Sequence, residues 1–459
     1  MRWDAFARLD YYGRRMSSPS PSLSSLARLI AKVEPFERRA LALAFTCNFV
    51  MMGSYYIIRP VRDAMATVFG VAHLQDLFTG TLILTLIVSP VFAWITDTFR
   101  LSRVLPGVFC FIVASLGVFF FWFETQPDSR VLAASYYWWA SVINLFMVSV
   151  FWSLVVDTFT SSQAARLLPA ISASGSLGAI AGPLVASLFV KSIGVPALLL
   201  VAAGGFALVV VLVLWLIREK SKLQTERKEA QASTMDHKLQ GSLLDGFITI
   251  FKSPILRNQA AFMLLMTWIS TIGYFIQTDL VARTFSDIES RTRALAEIDL
   301  AVNVISAAVA MFGLSRFITR FGVTGSLVLN PILMAFSFVL MALSPTLRVL
   351  QSMQVTRRVI QYAIARPSRE ICFTVVDQES RYKAKNILDV VVYRLGDLTA
   401  AWVQGGMNML GFAVGGGLGL GLFASGVWAA TAWRLGRQYE RMRAEQGEAP
   451  AGRERTGAA

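Results

Sequence analysis

Val195-Pro-Ala-Leu-Leu-Leu-Val-Ala-Ala-Gly-Gly-Phe-Ala-Leu-Val-Val-Val-Leu-Val-Leu-Trp-Leu-Ile217 runs for 23 residues without a charge and stops against Arg218-Glu-Lys220-Ser-Lys222. A helix needs about 20 mainly apolar residues to cross the hydrocarbon core of a bilayer. The stretch therefore reads as a transmembrane helix emerging into a charged linker. That linker, Arg218 to Lys252, mixes Lys, Glu, Gln and Ser and reads as solvated with some helical tendency.

Working outward, five more apolar stretches precede this span and six follow the linker. The twelve predicted spans cover roughly residues 40–58, 75–96, 104–123, 133–156, 167–190, 195–217, 256–282, 298–318, 323–343, 349–366, 387–409 and 411–433. Composition agrees, with 55% apolar and 16% charged residues and a mean hydropathy of +0.55, too apolar for an ordinary soluble domain. Barrel-type alternation is absent, so helices must satisfy the backbone in lipid. The expected fold class is an all-α membrane protein of twelve transmembrane helices in two six-helix halves, an arrangement that resembles the major facilitator superfamily. Its divisions are an N-terminal tail 1–39, a first half 40–217, the linker 218–252, a second half 253–433 and a C-terminal tail 434–459.

Placing both termini in the cytoplasm puts 32 of the 43 basic residues on that side, with Arg257, Arg316 and Arg366 at span ends counted there, against eight outside and three within spans. This positive-inside asymmetry sets the expected orientation, multi-pass in a bacterial inner membrane. It also accounts for the net charge of +14 through contact with anionic lipid headgroups, without nucleic acid. Residues 1–39 lack the apolar region of a secretory signal, and Met16 is an alternative start. Cys47, Cys110 and Cys372 argue against a disulfide framework.

The pattern Arg-Pro-x-Arg-acid occurs twice, as Arg59-Pro60-Val61-Arg62-Asp63 and as Arg366-Pro367-Ser368-Arg369-Glu370. Each copy follows an apolar stretch, where Pro would end the helix and the arginines could hold a carboxylate or an anion. Under facilitator symmetry the outer end of span 1 and the inner end of span 10 are equivalent, so the copies read as paired gates or as coincidence. Asp97 to Arg103, against Arg316 and Arg320, is a weaker echo that serves equally well as topology signal.

Span 5 carries Gly175, Gly178, Gly182 and Pro183, a small-residue face for close helix approach with a hinge. Span 10 is the least apolar. Arg357 and Arg358 near its middle are costly in lipid unless paired or facing a cavity, so they bind an anionic substrate or form an ion pair with a carboxylate on span 11. On span 11, Asp389, Tyr393 and Asp397 share a face by i, i+4 spacing, and Arg394 can reach Asp397. Asp157, Asp279, Asp389 and Asp397 are candidate proton carriers. In spans 1 and 4, Asn48, Tyr55, Tyr56 and Trp152 are candidate pathway residues, Asn144 faces the cavity or another helix, and Trp138 and Trp139 read as an interfacial belt. His73 and His237 lie in loops, and no metal spacing, cofactor motif or phosphate loop occurs; the chain does not read as an enzyme.

The segments Ile58-Arg59-Pro-Val-Arg62-Asp63, Asn144 through Asp157, and Arg366 through Asp397 with its Lys383-x-Lys385 turn and Asp389-Val-Val-Val-Tyr-Arg394 helix resemble the ATP:ADP antiporter (nucleotide translocase) family, in its divergent bacterial branch. The resemblance implies nucleotide exchange, with Arg62-Asp63 and the cluster Lys383, Lys385 and Arg394 taking part. A glutamate that the family carries early in span 4 has no counterpart in Trp138-Trp139-Ala140-Ser141.

The expected function is a secondary transporter, acting as a monomer, that moves a small organic anion, nucleotide in the narrower reading, by alternating access. Arg357, Arg358, Arg394 and Asn144 would bind substrate. Arg59, Arg62, Asp63, Arg366, Arg369, Glu370, Lys383, Lys385, Asp389 and Asp397 would form gate or ion pairs. The alternatives are a proton-coupled carrier or exporter, and a membrane scaffold or sensor that does not transport.

Overall fold

The computed structural model describes residues 33–446 apart from 35, 100, 228–242, 313, 378, 379, 382, 383 and 386. Residues 1–32 with Met16, the linker stretch containing His237, the site candidate Lys383 and residues 447–459 lie outside the described residues.

The described residues are all helical or connecting. In chain order the helices are α1 (Arg38–Phe69), α2 (Leu74–Thr98), α3 (Leu101–Thr125), α4 (Arg130–Thr158), α5 (Ser161–Arg227), α6 (Leu243–Lys252), α7 (Pro254–Thr284), α8 (Ile288–Phe312), α9 (Leu314–Leu343), α10 (Leu347–Ile360), α11 (Arg366–Ile371), α12 (Tyr393–Met409) and α13 (Ala413–Glu445). Wider π-turns, Gln361–Ala365 and Ile387–Val392, join α10 to α11 and lead into α12. Local chemistry sets several starts. The Ser129 hydroxyl accepts from the Leu132 amide at α4, Thr346 from Val349 at α10, and Asp287 from Ser290 at α8, each occupying an amide that has no partner within its helix.

Helix α5 contains two of the predicted spans. At Gly194 the backbone adopts φ 79°, a region open mainly to glycine, and Pro196 starts the second limb. The limbs reverse direction there. Arg166 near the start of α5 pairs with Glu37 at 2.8 Å, and Lys220 near its end pairs with Asp157, so both ends of α5 return to the end of the bundle where α1 begins.

Eight helices among the described residues are long and apolar enough to cross a membrane, the reversed α5 (Arg166–Lys220) counting as one. α10 and α12, 14 and 17 residues long, fall outside that group, as does α13.

Two expected boundaries shift. Span 1 was expected to end at 58, but α1 continues through Pro60 to Phe69. Pro60 forfeits one backbone bond, and the helix persists because Ile58, Val61, Ala64 and Met65 are buried around it. Span 8 was expected at 298–318, but α8 runs from Ile288 to Phe312.

Buried side chains form two main cores, one from α1 to α5 and one from α6 to α13. The glycine face of α5 packs on α1 as expected for a close-approach surface. A Cβ at Gly178 would strike the Phe49 carbonyl, and one at Gly182 the Gly53 carbonyl. A smaller cluster spans both sets, with Ala66, Leu74, Leu77 and Tyr137 meeting Phe275 and Ala401. Beside it Arg291 donates to Thr67 at 2.9 Å and Trp402 to Thr79 at 3.0 Å. The two sets of helices are thereby fastened at the end opposite Glu37.

Candidate functional site

Below that fastened end, a cavity of about 470 Å³ lies between the two sets of helices. α1 supplies Tyr55, Tyr56, Arg59, Arg62 and Asp63; α4 supplies Tyr137, Ser141 and Asn144. α7 adds Ser270, Thr271 and Tyr274, the α10 region Arg357, Arg358, Gln361 and Tyr362, and α12 Tyr393, Arg394 and Asp397. Five arginines therefore face two aspartates across one cavity.

Each arginine is held differently. Arg62 donates to Asp63 Oδ1 from Nε at 2.9 Å and Nη2 at 2.6 Å, the Tyr274 hydroxyl donates to the same oxygen at 3.3 Å, and the guanidinium stacks 5.4 Å from the centre of the Tyr137 ring. Arg358 forms an ion pair with Asp299 of α8, and Arg59 reaches the other oxygen of that carboxylate at 3.6 Å. Asp299 thus sits behind two arginines from opposite sets of helices, with only 3% of its side chain exposed. Adding it to the balance leaves five positive charges against three negative ones.

Arg357 is 7% exposed and has no carboxylate partner among the described residues. Its guanidinium donates to Gln354 Oε1 at 2.9 and 3.2 Å, to Ser270 Oγ at 2.8 Å and to Gln361 Oε1 at 3.3 Å. Gln354 is fixed in turn by donating to the Gly273 carbonyl at 2.9 Å. Neutral acceptors position this arginine without cancelling its charge. Arg394 makes no hydrogen bond or ion pair among the described residues. Asp397 accepts from the Thr271 hydroxyl at 3.0 Å.

The expected site residues therefore fall in two places. Arg59, Arg62, Asp63, Asn144, Arg357, Arg358, Arg394 and Asp397 surround the cavity. Arg59, Arg62 and Asp63 were expected at an outer mouth; the continuation of α1 carries them inside. Arg358 takes its carboxylate from α8 and not from span 11, and Arg394 forms no ion pair with Asp397. Trp138, expected in an interfacial belt, donates its indole N–H to the Leu77 carbonyl at 3.0 Å and clasps α2.

The second group lies apart from the cavity. Arg369 Nη2 pairs with Glu370 and with Asp389, each at 2.9 Å, and Lys385 Nζ lies 2.6 Å from Glu370. This network ties α11 to the π-turn before α12. Asp389 leaves the face it was expected to share with Tyr393 and Asp397, because the wider turn at Ile387–Val392 rotates it out of α-helical register. Arg366 is exposed and belongs to none of the ion pairs among the described residues.

Asp299, Tyr137, Ser270, Thr271, Tyr274 and Gln354 were not expected in the site. Asp299 had a legible signal. Leu295, Ile298 and Val302 recur at helical spacing and are all buried, so the period itself carries Asp299 inside a helix that starts further upstream. Among the described residues no group of three His, Cys, Asp or Glu side chains is placed to hold a metal ion.

The sequence profile of the Major Facilitator Superfamily matches residues 44–356, and the chain belongs to that family. It is a multi-pass membrane protein and a secondary transporter of a small molecule, not an enzyme. No curated protein sequence matches it.

Solved structures share its fold at low identity. A bacterial homologue of the iron transporter ferroportin, in an inward-facing state, is 13% identical with a TM-score of 0.62, covering 86% of this chain and 98% of its own. A POT family transporter in complex with a thioalcohol-conjugated peptide is 14% identical with a TM-score of 0.57, covering 88% and 96%. The nucleoside transporter NupG is 15% identical with a TM-score of 0.53, covering 89% and 99%.

Proposed function

We propose that this carrier moves an organic anion by alternating access, and that Arg357 and Arg394 are its primary anion contacts. The observation that carries this reading is a cavity with five arginines of which two form no ion pair among the described residues. A buried arginine held only by neutral groups keeps its attraction for an anion, and its planar fork suits bidentate contact with phosphate or carboxylate. Arg59, Arg62 and Arg358 already hold aspartates, so their part is to exchange those partners as the halves rock.

The narrower reading is nucleotide exchange of the ATP:ADP antiporter kind. It draws support from Arg62-Asp63 and Arg394 and from the tyrosines that line the cavity. In this reading twelve spans form two six-helix halves in a bacterial inner membrane. Both termini face the cytoplasm, and one copy suffices. The fastened end is then external and the cavity is reached from inside.

The test is uptake of labelled ATP into proteoliposomes that are preloaded with ADP or left empty, with Arg357→Ala and Arg394→Ala in parallel. Uptake that requires the preload and fails in both variants is the expected result. Absence of uptake by folded protein rejects nucleotide and leaves other organic anions to be screened.

Asp397 favours a second reading. It lines the cavity, forms no ion pair among the described residues and accepts from the Thr271 hydroxyl, a position from which a carboxylate can carry a proton. Uptake driven by an imposed pH gradient and abolished by Asp397→Asn supports proton coupling; exchange indifferent to the gradient rejects it.

A further inference from the structure

A second chamber of about 440 Å³ adjoins the arginine cavity toward the Glu37 end of the bundle. The two share Met52, Tyr56 and Tyr362, and α1 presents one stripe to both, Asn48, Met52, Tyr56, Arg59 and Asp63 following at intervals of three or four residues. At 1.5 Å per residue the stripe is roughly 22 Å long.

The chemistry changes along it. No charged side chain lines the second chamber. Small residues of α5, α8 and the α10 region make its walls, and Trp152 of α4 also lines it. Its polar groups are neutral and only partly used. Asn303 Nδ2 donates to the Ala179 carbonyl at 2.6 Å across the two sets of helices, which leaves its side-chain oxygen as an acceptor. Ser306 Oγ is buried with no hydrogen-bond partner among the described residues. Ser172 and Ser176, one turn apart on α5, also line it and make no hydrogen bond among the described residues.

An unpartnered buried hydroxyl costs free energy unless a ligand or water meets it. A neutral, hydrogen-bonding chamber joined end to end with a cationic one suits a substrate of matching polarity. We infer that the second chamber is a subsite for the uncharged, hydrogen-bonding body of the substrate whose anionic group enters the arginine cavity; this rests on the anion reading above. The substrate class is then an elongated organic anion, such as a phosphate ester with a polar neutral portion. An inorganic or compact anion fills only the cationic half.

The test measures binding of pyrophosphate, glucose 6-phosphate and ADP to the purified full chain. Ala307→Leu and Ser176→Leu narrow the chamber from α8 and from α5 at positions that are not arginines, and melting temperature and elution volume check folding. In the wild type at least one organic phosphate should bind more tightly than pyrophosphate. That ligand should lose tenfold or more in a folded variant while pyrophosphate stays within twofold.

The subsite is overturned if no organic phosphate exceeds pyrophosphate, if the advantage survives in both variants, or if pyrophosphate falls equally. It is also overturned if neither variant folds and Ser306→Ala leaves the preference unchanged. A wild type that binds none of the three probes rejects the phosphate-ester substrate and the subsite with it, and leaves the anion reading to be decided by the uptake of other organic anions.

Discussion

The two Arg-Pro-x-Arg-acid segments carry nearly the same chemistry and meet opposite fates. Arg59 to Asp63 lies in the interior of α1 with both arginines facing the central cavity, one on its neighbouring Asp63 and one shared with Arg358 on Asp299. Arg366 to Glu370 lies in α11, where Arg369 is tied to Glu370 and Asp389 and Arg366 points away exposed. The first segment pairs with residues from both sets of helices, and among the described residues the ion-pair partners of the second come from its own set. In both copies the arginine beside the acid pairs with it, while the length of the helix beneath decides whether that pair lies in the transport path or beside it.

The largest expected difference between the segments is in stability. Asp299→Ala leaves Arg358 and Arg59 buried without their carboxylate, and removing one partner of a buried pair costs about 3–5 kcal/mol. Asp389→Ala removes a carboxylate whose side chain is 35% exposed, where pairs contribute about 0–1 kcal/mol. Thermal or denaturant unfolding of the two variants in detergent checks this, and equal losses would break the comparison. Transport separates them next. Truncating a buried hydrogen-bonded charge that meets a ligand costs about 2–5 kcal/mol, so Arg357→Ala should weaken anion uptake roughly 30-fold or more. Arg366→Ala, outside the cavity, should leave uptake within about twofold by the ordinary tolerance of exposed sites.

The helical fold was legible because hydropathy and charge act on each stretch locally. Arg357, Arg358 and Arg394 could be picked out for the same reason, since an arginine within an apolar run needs a cavity or a partner wherever it falls. The partners were harder to read. Arg59 and Asp63 looked like the end of a span because hydropathy treats each charge as unpaired, and Asp299 was set at the edge of its helix by the same rule. What holds them inside is pairing between residues 240 positions apart, Arg59 with Asp299, which no window along the chain contains. Asp389 was misplaced for a different cause, a π-turn whose register change has no clear mark in composition.

The smallest effect sharpens the comparison at its weaker side. Burial alone would raise the Glu370 carboxyl, but hydrogen bonds from Lys385 and Arg369 outweigh it and hold the group below its ordinary value. A carboxylate with a depressed folded-state pKa stabilises the fold above its unfolded pKa of about 4.3 and loses that contribution as pH falls through the lower folded value. Glu370→Gln should therefore cost about 1 kcal/mol or less at pH 7, with the gap from the wild type narrowing below about pH 4.3 and closing once the folded carboxylate is protonated. Unfolding curves for both proteins from pH 7 to pH 3 measure it. A gap that persists through acid would mean that Glu370 acts by packing, and would make the second segment a structural strut whose charges are incidental.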